Sequence, residues 1–216
     1  MKLRKNMVFA HRGLHNKEVK ENTLASFRRA IENGYGIELD VRMTRDKVLI
    51  AFHDSTFNGV KIEDTYLSDL DTDTPTIKET LELIEKMNGV VLLEVKKSRH
   101  IKELRESLMK QIKYVNINFA IISFNPRTVR WFKKNGCIVG QSIEDCNMPR
   151  RLKQVSINAS IKISDPDFLV VEKTLLQNSE IKKLREKLKI ISWTIQSESE
   201  KKEALSLSDN IIFDEY

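Results

Sequence analysis

The sequence predicts an α/β fold, a (β/α)₈ TIM barrel with a short insertion after the second-strand hairpin. Eight short apolar runs rich in β-branched residues recur along the chain, and stretches with helical spacing lie between most of them. The polar clusters fall at the C-terminal ends of those runs, the face on which barrels of this kind carry their active sites.

In chain order the runs are 7–10, 37–41, 90–95, 119–124, 137–143, 168–171, 190–195 and 211–213. Between them, Leu24, Phe27 and Ile31 repeat at helical spacing, as do Leu81, Ile84 and Asn88, and then Ile101, Leu104 and Leu108. Asn22 is placed to cap the first helix. Asn125-Pro126 sets a capping amide before a proline at the first helical position, where its missing N–H costs nothing. Ile181, Leu184 and Leu188 give the run of Lys182, Lys183, Arg185, Lys187 and Lys189 the pattern of an outer helix face. Strand then helix, repeated, implies a parallel sheet covered by helices. Eight repeats fit a closed barrel; an open doubly wound sheet gives a similar pattern, and no dinucleotide-type Gly-rich turn separates the two. One segment breaks the alternation. Residues 37–44 run through Arg45-Asp46-Lys47 into a second apolar run, 48–52, which reads as a hairpin carrying His53 back toward Glu38 and Asp40.

The 216 residues, 40% hydrophobic and 31% charged, describe one globular domain spanning 1–216 and exclude a disordered chain. The net charge of +6 comes from abundant groups of both signs, so nucleic-acid binding rests on a modest excess alone and is not expected. Cys137 and Cys146 are too few for a disulfide framework, and Cys137 reads as a small buried thiol. With no signal-type apolar region and no run long enough to cross a bilayer, a cytoplasmic location without stable membrane insertion is expected. Oligomeric state has no signature in the sequence.

The sharpest local signal is Glu38-Leu39-Asp40. On a strand, positions i and i+2 share a face, so two carboxylates point the same way among Ile37, Leu39 and Val41. Like charges crowded in a half-buried place raise each other's pKa unless a cation sits between them. Glu94-Val95-Lys96 repeats the geometry with an acid and a base, where a local ion pair is the competing reading. His11-Arg12-Gly13 ends the first run, and His53-Asp54 follows the hairpin. Three carboxylates without cysteine make a hard-oxygen site suited to one divalent cation, Mg²⁺ or Ca²⁺. Two histidines supply proton transfer near neutral pH, and Arg12 and Lys96 supply positive charge for an anionic oxygen. Together these groups are suited to phosphoryl chemistry.

His11-Arg12-Gly13, Glu21-Asn22-Thr23, Glu38-Leu39-Asp40-Val41, His53-Asp54 and Glu94-Val95-Lys96, in this order and spacing, resemble the glycerophosphodiester phosphodiesterase family. Trp193-Thr194 and the closing Ile211-Ile212-Phe213-Asp214 resemble that family's end, so the likeness covers nearly the whole chain. It implies that Glu38, Asp40 and Glu94 bind one divalent cation, that His11 and His53 act as general acid and base, and that Arg12 and Lys96 hold the phosphate. It further implies attack by the substrate glycerol's own hydroxyl, with water opening the cyclic product. The products are then sn-glycerol 3-phosphate and an alcohol. Trp193 is either barrel filling or a wall for the glycerol, and its size favours the wall. The chain departs from the family pattern at Lys20, where proline is usual, at Asp46-Lys47, where the turn usually holds glycine, and before Asp214, where threonine is common. Residues 55–76 are short against the family's insertion.

A lysophospholipase D-type enzyme on the same barrel is the alternative within enzymes and requires an apolar entrance. The 55–76 segment offers only Phe57, Tyr66 and Leu67 for one, which favours a small soluble glycerophosphodiester. A barrel that only binds its ligand is the alternative outside enzymes. Concentrated negative charge would not help a mere anion binder.

Overall fold

Strands form at each of the eight apolar runs, and the computed structural model describes residues 7–146 and 148–215. The chain divides into two compact units, Ala10–Phe119 and Met1–Phe9 with Ala120–Tyr216.

The first unit takes the chain from the end of β1 (Phe9–Ala10) through α1 (Leu24–Glu32), β2 (Gly36–Met43), β3 (Leu49–Ala51), β4 (Thr56–Phe57), β5 (Val60–Lys61), α2 (Ile77–Lys86), β6 (Val90–Val95) and α3 (Ile101–Ile112). β2 and β6 are parallel neighbours, in a register that sets Asp40 beside Glu94 and Val41 beside Val95. The expected hairpin is present: β3 runs antiparallel to β2, with Val41 opposite Ala51. Ile37, Leu39, Val41 and Leu93 are fully buried, so the charged residues that alternate with them are held by a packed apolar layer.

Residues 55–76 form a small two-stranded ribbon, β4 with β5, and two 3₁₀ turns. Asn58-Gly59 makes the ribbon's turn with φ of 48° and 81°, the left-handed pair that a tight hairpin requires and that Asn-Gly adopts at little cost. Ile62 and Leu70 pack beneath the segment on Ile50, with Phe52, Phe57 and Leu67 around them.

The second unit holds the rest of β7 (Asn118–Ser123), then α4 (Pro126–Lys134), β8 (Val139–Ile143), α5 (Arg150–Ser164), β9 (Phe168–Glu172), α6 (Ser179–Arg185), β10 (Lys189–Ile195), α7 (Glu198–Leu207) and β11 (Asn210–Phe213). Strands β7 to β11 pair in chain order, each parallel to the next. That order is the product of successive strand–helix–strand crossovers. Leu169, Val171, Ile181, Ile190 and Ile211 belong to its buried core.

Two helix expectations need correction. The cap of α1 is Thr23, which accepts from the Ser26 N–H in a reciprocal capping box. Asn22 instead turns left-handed, φ 52°, and sends its amide to Asp40, a tertiary bond that outcompetes capping. Asn88 and Leu188 lie beyond the ends of α2 and α6, because a helical pattern runs on in sequence after the backbone has turned away. Asn125 caps α4 as expected, with Pro126 at the first position.

Candidate active site

Strand geometry builds the centre. Glu38 and Asp40 share one face of β2, and the β2–β6 register brings Glu94 alongside Asp40. The three carboxylates each offer an oxygen within 4.8 Å of the others. Glu38 is 2%, Asp40 1% and Glu94 9% exposed. Three acids so close in an apolar setting repel one another unless positive charge intervenes.

Lys96 supplies part of that charge. Its ammonium lies 2.7 Å from Asp40 Oδ1 and 2.5 Å from Glu94 Oε1. Arg12 supplies more, with Nε 3.5 Å from Asp40 Oδ2, while Asn22 Nδ2 donates to that oxygen at 2.9 Å. Burial opposes ionisation of Asp40, but Lys96, Arg12 and the Asn22 amide outweigh it and hold its pKa below the ordinary value. Glu38 is left out of this arrangement. The Arg12 backbone N–H donates to it at 3.2 Å, and burial together with the Asp40 and Glu94 charges lifts its pKa well above the usual range. Glu94 is raised too, through burial first, with Lys96 pulling the other way.

Gly13 shapes the loop that carries His11 and Arg12. It has φ 81°, and a Cβ there would run into the side chain and backbone of Ser26, so only glycine fits the turn. The Arg12 guanidinium is fixed from behind, Nη1 donating to both Glu21 oxygens at 2.9 Å. His53 Nδ1 sits 2.8 Å from Asp54 Oδ1, and the His53 carbonyl accepts from Arg42 Nε and Nη2 at 2.8 and 2.7 Å. Burial lowers the His53 pKa, Asp40 opposing it and Arg12 and Lys96 reinforcing it. His11 stands near enough to Glu94 for its charge to favour the carboxylate. A cavity of about 300 Å³ opens beside this edge, lined by Glu21, Asn22, Phe52, His53, Asp54 and the 71–74 loop.

Seven of the eight sequence-derived site residues, His11, Arg12, Glu38, Asp40, His53, Glu94 and Lys96, thus belong to one unit. The eighth, Trp193, is on β10 in the other unit, its indole 5.6 Å edge-to-face from the Phe124 ring. Sequence reasoning left out three partners: Asn22 on Asp40, Glu21 on Arg12, and Arg42 on the His53 carbonyl. Arg42 could have been found, since it shares the β2 face of Glu38 and Asp40.

Comparison with solved structures defines the class first. A glycerophosphodiester phosphodiesterase from Thermotoga maritima is 26% identical with a TM-score of 0.79, over 96% of this chain and 94% of that one. An Oleispira antarctica phosphodiesterase, solved with the product sn-glycerol-3-phosphate, is 20% identical with a TM-score of 0.83, over 97% and 93%. The chain shares their (β/α)₈ barrel fold. It matches the Glycerophosphoryl diester phosphodiesterase family over residues 11–215 and belongs to that family. Glycerophosphodiester phosphodiesterases of Caldanaerobacter subterraneus subsp. tengcongensis and Bacillus altitudinis are 34% identical over 153 residues and 28% over 151. These matches cover 60% and 59% of this chain, and 63% and 61% of the relatives' own lengths.

Proposed function

We propose that the protein is a metal-dependent phosphodiesterase that hydrolyses a small glycerophosphodiester to sn-glycerol 3-phosphate and an alcohol. The observation that carries this reading is the buried, converging triad of Glu38, Asp40 and Glu94 beside Lys96 and Arg12, in a chain of this family.

The triad fits one divalent cation, Mg²⁺ or Ca²⁺. Its donors are hard oxygens, and Glu38, the acid with the least compensating charge and a strongly raised pKa, is the group a cation would restore to its ionised form. When bound, the cation supplies positive charge against which phosphoryl oxygens develop negative charge. Arg12, held by Glu21, and Lys96, held by two acids, present fixed cationic groups that orient the phosphate without reorganising. His11 and His53 move the protons, one taking the attacking glycerol hydroxyl's proton and one giving a proton to the departing alcohol. If Asp54 accepts from His53 Nδ1, the other ring nitrogen is the one turned to the substrate. Burial lowers the His53 pKa, so its ring releases a proton more readily than a free imidazole does. Among the described residues no helix is long and apolar enough to cross a membrane, in keeping with a small soluble substrate met in the cytoplasm.

The test is release of sn-glycerol 3-phosphate from glycerophosphocholine, with and without chelator, by the wild type, His53→Ala and Glu38→Ala. Turnover is expected only for the wild type with divalent cation. Equal rates for all three proteins contradict the assignment, and faster turnover of lysophosphatidylcholine moves it to a lysophospholipase D-type activity.

A further inference from the structure

The two units differ in charge. Residues 10–119 contain 18 Lys plus Arg and 18 Asp plus Glu, whereas residues 120–215 of the other unit contain 16 and 13. Within it, α4 and α5 pack against each other and neither helix contains an acidic residue.

α5 is apolar on both sides. Ile157 and Ile161 join the buried core, which leaves the opposite face outward. There Leu152 is 57%, Val155 65% and Ile163 45% exposed, and Met148, in the loop just ahead, is 36% exposed. At 3.6 residues per turn Leu152, Val155, Ala159 and Ile163 fall in a stripe about 80° wide. By contrast, α2 turns Lys78, Glu79 and Glu82 outward and α3 turns Lys102, Glu103 and Glu106, as solvated helices do. Arg151 and Lys162 flank one edge of the stripe, and Arg127 and Lys134 are exposed on α4. None of these four makes an ion pair among the described residues. The neighbouring acids are already engaged: Asp145 by Lys153, Asp165 by Arg130 and Asp167 by Lys133.

We infer that the exposed face of α5, with α4 beside it, is a docking surface for an anionic phospholipid membrane. Two observations select that occupant. An apolar stripe loses its exposure by dipping into the boundary between headgroups and chains, while the flanking arginine and lysines meet lipid phosphates. A second copy of the chain fits less well, because an antiparallel two-fold contact through the stripe would set each copy's basic flank against the same flank, and a parallel one would leave both flanks without an anionic partner. The contact is adsorption at the surface and requires no helix that crosses the bilayer. It is independent of the chemistry assigned to the carboxylate centre.

The test is co-sedimentation with vesicles of equal parts phosphatidylglycerol and phosphatidylcholine, against vesicles of phosphatidylcholine alone. Wild-type protein is expected to sediment with the mixed vesicles, and high salt is expected to release it. Leu152→Ser/Val155→Ser and Arg151→Glu/Lys162→Glu are each expected to lower partitioning about tenfold or more. Circular dichroism and turnover of water-soluble glycerophosphocholine should be unchanged in both variants, which separates lost docking from lost folding. Wild-type protein that stays in solution with the mixed vesicles overturns the inference, as does equal partitioning by wild type and variants. A concentration-dependent dimer in light scattering that Leu152→Ser/Val155→Ser abolishes also overturns it, by giving the face to a second copy.

Discussion

The strand ends of the two units handle burial of polar groups in opposite ways. On β2 and β6 the buried polar residues are acids, and two of them are tightly partnered: Asp40 receives Lys96, Arg12 and Asn22, and Lys96 spans Asp40 and Glu94. On β8 and β10 they are neutral, and Gln141 Oε1, Ser142 Oγ, Ser192 Oγ and Trp193 Nε1 find no hydrogen-bond partner among the described residues. Charge buried away from water must be compensated, because an isolated ion would cost far more than the fold's net stability. A lone neutral hydroxyl costs much less and can be tolerated. The first unit therefore gathers buried carboxylates on its strands, while the buried polar residues on β8 and β10 of the second are neutral.

The sharpest way to break this contrast is to remove a group from the charged side. His53→Ala is expected to lower turnover by about 10²- to 10⁴-fold in steady-state assays, whereas Ser142→Ala should leave it within about twofold. Comparable losses from both would erase the distinction between the two sides.

Next in size is the pH response of chelated protein. Glu38 and Glu94 have folded pKa values raised above the ordinary 4.5. Their contribution is present below that value and is lost as pH rises through the raised values, so unfolding temperature should fall over that window. Asp40 acts in the opposite sense, its lowered pKa adding stability that disappears in acid below 3.8. Divalent cation should restore the unfolding temperature most at the high end of the window. Scanning calorimetry across pH, with and without cation, reads this directly, and an unfolding temperature that climbs through the window would reverse the sign assigned to Glu38.

Asn22→Ala is expected to destabilise the protein by about 2 kcal/mol in denaturant titration. The change strips a donor from a buried carboxylate and forces alanine into a left-handed backbone. The smallest effect belongs to Ser192→Ala on the neutral side. Its hydroxyl is fully buried and has no hydrogen-bond partner among the described residues, so stability should change by no more than about 0.5 kcal/mol or rise slightly. A loss as large as that of Asn22→Ala would mean the hydroxyl has work that its surroundings do not show.

The sequence disclosed elements wherever a local pattern exists. Eight apolar runs became strands, and Asp46-Lys47 marked the hairpin turn despite lacking glycine. Partnerships between distant positions were hidden. Asn22 stands where a helix cap belongs, and nothing local says that its amide reaches Asp40, 18 residues away. In the sequence alone Glu21 is either a charge at a helix start or a support behind a ligand, and only the folded chain shows Arg12 donating to it. The β4–β5 ribbon escaped because two-residue strands have no periodicity, although Asn58-Gly59 was a usable turn signal. The alternation that placed Glu38 and Asp40 on one face was legible from the start. The register that set Glu94 beside Asp40 was not.

Glu38, Asp40 and Glu94 are proposed to act together as the seat of one divalent cation required for turnover. Isothermal titration of Mg²⁺ and Ca²⁺ into chelator-stripped protein tests this most directly. One binding event per chain is expected in the wild type and none in Glu38→Gln, with turnover returning in step with occupancy. Unaltered binding in Glu38→Gln, or full turnover by stripped protein, would contradict it.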